Sequence, residues 1–347
     1  MTARDVSLDV ARGLAIVAIV LGHVGRGLVG SSILDSSVGE ALDRGLYLTH
    51  LIVFVFVSGL LAPASAARRG VRAYTWARVR LFLYLYVVWS IVQGVVRVAL
   101  SGQTNTAMSW GELLQLWVPR GHLWFLPFMA AATLVLGLAR PWASSRRWSV
   151  LAAVTVSLAT WGLFSPWIFL QGWPLIGALF VGAALGAKRA SARHDRASTP
   201  ALLGACIVAG TVYALLLLSP AGPPTYFLPD RAAVEVLLGA AASATGLVLV
   251  LLMSVLLTRT RLAGAFALLG RQSLVIYLAH ILAASGMRIL LTSFGVQNAV
   301  VHLVAGVVAG VLLPLALVWL ARHRAFRWLV EDTPLQGVAR QNQEGRP

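Results

Sequence analysis

The sequence predicts an all-α polytopic membrane protein, a bundle of about ten transmembrane helices with both termini cytoplasmic, and three observations carry that fold class. Of its 347 residues 59% are apolar and only 12% charged, far less charge than a soluble domain of this length exposes. Apolar runs of roughly 20 residues, enough to cross about 30 Å of hydrocarbon, recur along the chain. Arginine clusters fill alternate loops, the pattern left by the positive-inside rule.

The runs place spans at 8–29, 46–63, 79–100, 122–139, 148–165, 168–187, 201–218, 232–257, 273–291 and 299–320. The first is a span rather than a cleaved signal peptide, because Arg12 interrupts its apolar core and "GHVGRGLVG" is a poor cleavage region. Cationic segments follow every second span: Arg68, Arg69, Arg72 and Arg78, then Arg140, Arg146 and Arg147. They continue with Lys188, Arg189, Arg193 and Arg196, then Arg259, Arg261 and Arg271, and finally Arg322, Arg324 and Arg327. The intervening loops hold only Arg26, Arg44, Arg120 and Arg231, alongside Asp35, Glu40, Asp43, Glu112 and Asp230, and are expected to face outward. The longest of these run over 30–45, 101–121 and 219–231, the last Pro-rich and expected to be ordered but non-helical. Residues 1–330 form a single transmembrane domain and 331–347 a short polar cytoplasmic tail. No repeat relates the two halves.

The net charge of +16 comes almost entirely from these arginines, so it marks topology and not nucleic-acid binding. The single cysteine, Cys206, lies in an apolar run and permits no internal disulfide.

Ionisable groups inside a bilayer cost about 2.5–3.5 kcal/mol each at helix centre, so those kept there point to function. Arg12 and His23 stand eleven positions apart on the first span. That spacing leaves an angular offset of only ~20° and a rise of ~16 Å, which puts both on one face as a polar line through most of the membrane. Asp9, three residues before Arg12, is positioned to pair with it. His50, early in the second span, and His122, opening the fourth, share the outer leaflet with His23, whereas His280 lies near mid-depth of the ninth. His302 falls near the outer end of the last span, in the bundle lining or at the lipid interface; His194 and His323 fall in cytoplasmic loops. Histidines without nearby intramembrane carboxylates or a thiolate give no metal-ligand spacing, and no metal is expected. A bland reading competes with each residue: a lone intramembrane histidine is often a structural bridge to a carbonyl, and the aromatics of "YLTHLIVFVFVSGL" suit packing as well as binding.

Four blocks in order carry a family resemblance: "LDVARGLAIVAIVLGH" with Arg12 and His23, "HLIVFVFVSGL" with His50, Ser58 and Gly59, "HLWFLP" with Trp124, and "SLVIYLAH" with Ser273, Tyr277 and His280. Together they resemble the integral-membrane acyltransferase family 3, nearest to the branch of fucose 4-O-acetylases. That branch tends to have Met-Pro after the second-helix histidine, where this chain has Leu51 and Ile52. The resemblance implies a multi-pass cell-membrane enzyme that moves an acyl group, usually acetyl, from acyl-CoA to a hydroxyl on a carbohydrate or other envelope acceptor. His23 is then expected as general base, held with Arg12 and Asp9 in the catalytic set. Acceptor binding or oxyanion stabilisation falls to His50, His122, Trp124, Tyr277 and His280, and coenzyme binding to Arg68, Arg69, Arg72 and Ser58. The competing class is a glycan or lipid transporter or flippase, which also keeps intramembrane His and Arg but favours internal repeats and broken helices. A non-catalytic membrane sensor is the third reading.

Overall fold

The computed structural model describes residues 5–102, 108–187, 198–321 and 323–331. Within them the regular structure is helical: α1 (Val6–Val29), α2 (Ser36–Tyr47), α3 (His50–Arg69), α4 (Val71–Ala99), α5 (Trp110–Leu113), α6 (Phe125–Ala139) and α7 (Trp148–Thr160). The second half adds α8 (Ile176–Leu185), α9 (Thr199–Leu217), α10 (Ala233–Leu257), α11 (Ala263–Arg271), α12 (Ser273–Ser293) and α13 (Ala299–Leu320). Short 3₁₀ turns cover Gly121–Trp124, Trp173–Leu175 and Arg324–Leu329. The loop cations Lys188, Arg189, Arg193, Arg196 and Arg322, the loop histidine His194 and tail residues 332–347 lie outside the described residues.

Among the described residues eight helical segments are long and apolar enough to cross a membrane. The two remaining predicted spans, at 148–165 and 168–187, are shorter: α7 has 13 residues, and the second is the helical stretch Trp173–Leu185. Thirteen residues rise only about 20 Å, less than the roughly 30 Å of hydrocarbon. They instead pack on one another, and α8 lies along α3. Here Gly59 and Gly182 let backbones meet, since a Cβ on either would overlap a carbonyl of the facing helix (Leu179 and Phe56). The predicted loop 30–45 also differs. Much of it is α2, capped by the Asp35 side chain accepting from the Ser37 amide at 2.8 Å. Its charged residues hid it from a search for apolar runs.

α1 is the axis of the bundle, packed against α2, α3, α10, α11, α12 and α13. Its tightest neighbour is α11, because Gly13 faces the Phe266 carbonyl and Gly270 the Asp9 carbonyl with no room for a Cβ. That close approach sets the start of α12, and therefore Ser273, beside Arg12. The interior is apolar, with Ile16, Leu60, Phe128 and Ile276 essentially inaccessible. α9, by contrast, lies on the outside, mainly along α10. As expected, the segment 219–231 is non-helical; it folds inward, so that Ala221 and Thr225 are buried and Trp161 Nε1 donates to Gly222 at 2.9 Å.

Candidate active site

Three helical elements each bring one histidine to the same place. His23 comes from α1, His280 from α12, and His122 from the 3₁₀ turn that opens α6. Gly121 makes that turn possible: its φ of +59° lies in the left-handed region that a side chain disfavours. The ring centroids of His23 lie 5.5 Å from His122 and 5.1 Å from His280, and those of His122 and His280 4.8 Å apart.

Tyr277 organises two of the three. Its carbonyl oxygen lies 3.0 Å from His122 Nε2 and 2.8 Å from His280 Nδ1, and a carbonyl cannot donate, so both nitrogens carry the proton in the neutral rings. Ile276 O also accepts from His280 Nδ1 at 3.0 Å. The Tyr277 hydroxyl donates back to the His122 carbonyl, closing a reciprocal pair. His280 Nε2 is left as a lone pair, buried, with no hydrogen-bond partner among the described residues. His23, half-buried, has neither nitrogen tied to a carbonyl among the described residues.

Two cavities approach this cluster from opposite ends of the bundle, one lined by His23 and His122 and the other reaching Tyr277. At the Arg12 end a narrow cavity of about 110 Å³ is bounded by Arg12, Ser58, Tyr74, Arg78 and Ser273, with apolar walls that include Phe54, Phe82 and Met129, and Tyr277 with Phe125 in its lining. Arg12 Nη2 donates to Ser273 Oγ at 2.9 Å. At the other end a cavity of about 600 Å³ is lined by His23, His122, Arg26, Tyr47, Gln93 and Trp124 among others. The Tyr277 ring, 4.9 Å from His122 and 5.8 Å from Phe125, stands in the partition between them.

The predicted residues thus divide. His23, His122, His280, Tyr277 and Trp124 come together; Arg12 and Ser58 line the narrow cavity; Asp9 is buried at the start of α1. His50 belongs to a neighbouring group. It packs edge-on against Tyr47 at 4.7 Å, and its Nδ1 donates to the Leu46 carbonyl within the corner between α2 and α3. Arg68, Arg69 and Arg72 are exposed and absent from the cavity wall, where Arg78 stands instead. His302 is fully buried, its ring bonded to the Val296 carbonyl at 2.9 Å, which removes it from any lipid interface.

Sequence reading missed a second polar cluster. The Arg26 guanidinium lies 3.9 Å over the Tyr47 ring, bonds the Asp43 carboxylate at 2.8 Å and donates to the Tyr226 hydroxyl at 2.7 Å. The available signal was Arg26 itself, one turn beyond His23 on α1; Asp43 and Tyr226 lay in segments read as loops, and Tyr47 at the start of the second predicted span. Among the described residues no three His, Cys, Asp or Glu side chains are placed to hold a metal.

Residues 5–319, nearly the whole chain, match the family model of an acyltransferase domain, Acyl_transf_3. No curated protein and no solved structure matches the chain.

Proposed function

The chain belongs to acyltransferase family 3, and from that premise we propose that it is an O-acyltransferase carrying an acyl group, most simply acetyl, from cytosolic acyl-CoA to a hydroxyl of a carbohydrate or other envelope acceptor. The observation that carries this reading is the histidine cluster set between two cavities that open at opposite ends of a multi-pass bundle. A donor made on one side and an acceptor held on the other would meet there. The positive-inside rule assigns the Arg12 end to the cytosol.

His23 is the base. It takes the proton of the acceptor hydroxyl as that oxygen attacks the thioester carbonyl; the O–C bond forms, the C–S bond breaks, and the proton passes to the departing thiolate. A positioned general base contributes typically 10²–10⁴-fold. His280 supports this role, because its tautomer leaves an Nε2 lone pair that can receive a hydrogen bond from protonated His23. His122 and Tyr277 hold each other and the partition in place, and Trp124 offers a face for a sugar ring on the acceptor side. Arg12, Arg78, Ser58 and Ser273 line the donor path. At about 110 Å³ this path is below the roughly 300–1,000 Å³ of preformed ligand sites, so the donor's arm enters only as Phe54, Phe82 and Met129 move aside.

Purified protein in liposomes, given radiolabelled acetyl-CoA and fractionated envelope glycans and lipids, tests the function directly. Label should appear as a base-labile ester in an acceptor fraction with stoichiometric release of free CoA. Acceptor movement across the bilayer with no dependence on acyl-CoA would instead favour a transporter.

A further inference from the structure

A second cavity of about 570 Å³ lies beside the one that His23 lines, and none of the three cluster histidines is in its wall. The two share Arg26, Tyr47, Gly121 and Trp124, so they adjoin along one side. At about 570 and 600 Å³, each falls within the roughly 300–1,000 Å³ of small-molecule sites and is large enough for a ligand of its own.

Four aromatic rings from four separate elements bound the second cavity: Tyr47 at the end of α2, Trp124 before α6, Phe164 after α7 and Tyr226 in the segment 219–231. Aromatics at the end of a spanning bundle ordinarily form the belt at the lipid headgroups. Belt packing does not explain these. Tyr47 is buried, with its ring 4.8 Å from that of Tyr226. Arg26 holds both, lying over the first and donating to the hydroxyl of the second at 2.7 Å. Gln171, also buried, ties two loops of the wall together. Its Nε2 donates to the Thr225 carbonyl at 2.9 Å, and its Oε1 accepts from the Ser165 amide at 3.2 Å.

The charges of this wall are closed. Arg26 is matched by Asp43 at 2.8 Å and Arg120 by Glu112 at 3.5 Å, so the wall offers aromatic faces and hydrogen-bonding groups with neither arginine unbalanced. A sugar ring matches that combination. Its C–H faces are apolar and bury against aromatic rings, while its hydroxyls need a few well-placed polar partners.

Resting on the transferase reading above, we infer that the acceptor is a glycan of at least two sugars. The sugar to be acylated occupies the His23 cavity, and its neighbour in the chain is bound in the second cavity against Trp124, Phe164 and Tyr226. Trp124, common to both walls, stands at the junction. Binding energy gathered on the second sugar positions the first, and a lone monosaccharide forfeits it.

Equilibrium dialysis of the full chain in nanodiscs tests this with three radiolabelled pairs: glucose and cellobiose, galactose and galactobiose, N-acetylglucosamine and N,N′-diacetylchitobiose. At least one disaccharide should bind roughly tenfold tighter than its own monosaccharide, a difference of about 1.4 kcal/mol. Phe164 is 60% exposed, so Phe164→Ala leaves the packing of the bundle intact; it should remove most of that preference, whereas Phe164→Tyr should keep it. Trp167→Ala, three residues on and similarly exposed but outside the cavity wall, should change nothing. Monosaccharide and CoA binding should be equal in all of these proteins. Disaccharides that bind no tighter than their monosaccharides overturn the inference. So does a preference that survives Phe164→Ala, or one that Trp167→Ala removes equally. A disaccharide preference without acyl transfer to any sugar leaves the subsite standing and removes the transferase reading. Transfer to monosaccharides as efficient as to disaccharides does the reverse.

Discussion

His280 and His122 are tethered by their ring N–H groups to one carbonyl, that of Tyr277, whereas His23, the proposed base, has no such tether among the described residues and lines the cavity. The separation of roles makes distinct predictions. His280→Ala removes the lone pair facing His23 and should lower kcat by at least an order of magnitude with little change in the KM of either substrate, read by steady-state kinetics. Tyr277→Phe removes only the hydroxyl bond to the His122 carbonyl, worth about 1 kcal/mol, and should cost no more than a few-fold. A loss as large as that of His280→Ala would place the hydroxyl in the chemistry itself. Arg12→Lys should be severely impaired, because a compact ammonium does not reproduce the guanidinium fork that bonds Ser273. Sequence spacing alone put Arg12 and His23 on one face of α1, and each now lines a different cavity. It grouped His50 with His23 by depth, but depth leaves direction open: the ring of His50 turns toward Tyr47 at the end of a helix whose charged residues resembled a loop.

Among the elements, α11 is the one whose small size belies its role, since its glycine contact with α1 sets Ser273 against Arg12. Gly270→Val should push these helices apart and destabilise the protein by roughly 1–3 kcal/mol, the range for overpacking. Gly264→Ala, on the same helix with open space around it, should change the unfolding midpoint little. Equal midpoints for both variants would contradict the close-packed contact. The α3–α4 corner gives a second contrast. Arg78→Gln should raise the KM for acyl-CoA, because Arg78 lines the donor cavity, whereas Arg68→Gln/Arg69→Gln/Arg72→Gln should leave it nearly unchanged. The reverse result would return the coenzyme to the exposed cluster. Apolar length and arginine alternation made the long helices legible in advance. They overextended α7 and α8, because the largely apolar stretches 161–165 and 168–172 lie in turns and loop that apolar length alone does not distinguish from helix.

In the whole molecule, the proposed donor and acceptor would occupy separate cavities and meet at His23. Its orientation is expected to place the Arg68–Arg78 corner in the cytosol and α2 outside. Single cysteines introduced at Ala73 and Ser37 in a Cys206→Ser background should react with an impermeant thiol reagent only after lysis and in intact cells, respectively. The opposite pattern would invert the sidedness. Order along the chain let four separated blocks be read as one family, and the match over residues 5–319 bears that out. The Arg26 cluster was not legible, because Arg26, Asp43, Tyr47 and Tyr226 converge only in three dimensions. The central claim rests on His23, and the most direct measurement is acetyl transfer from radiolabelled acetyl-CoA in proteoliposomes, comparing the unaltered protein with His23→Ala at matched insertion and matched CoA binding. The variant should lose at least a hundredfold in rate, the low end of a general base's contribution. Transfer by His23→Ala at a rate near that of the unaltered protein would contradict it.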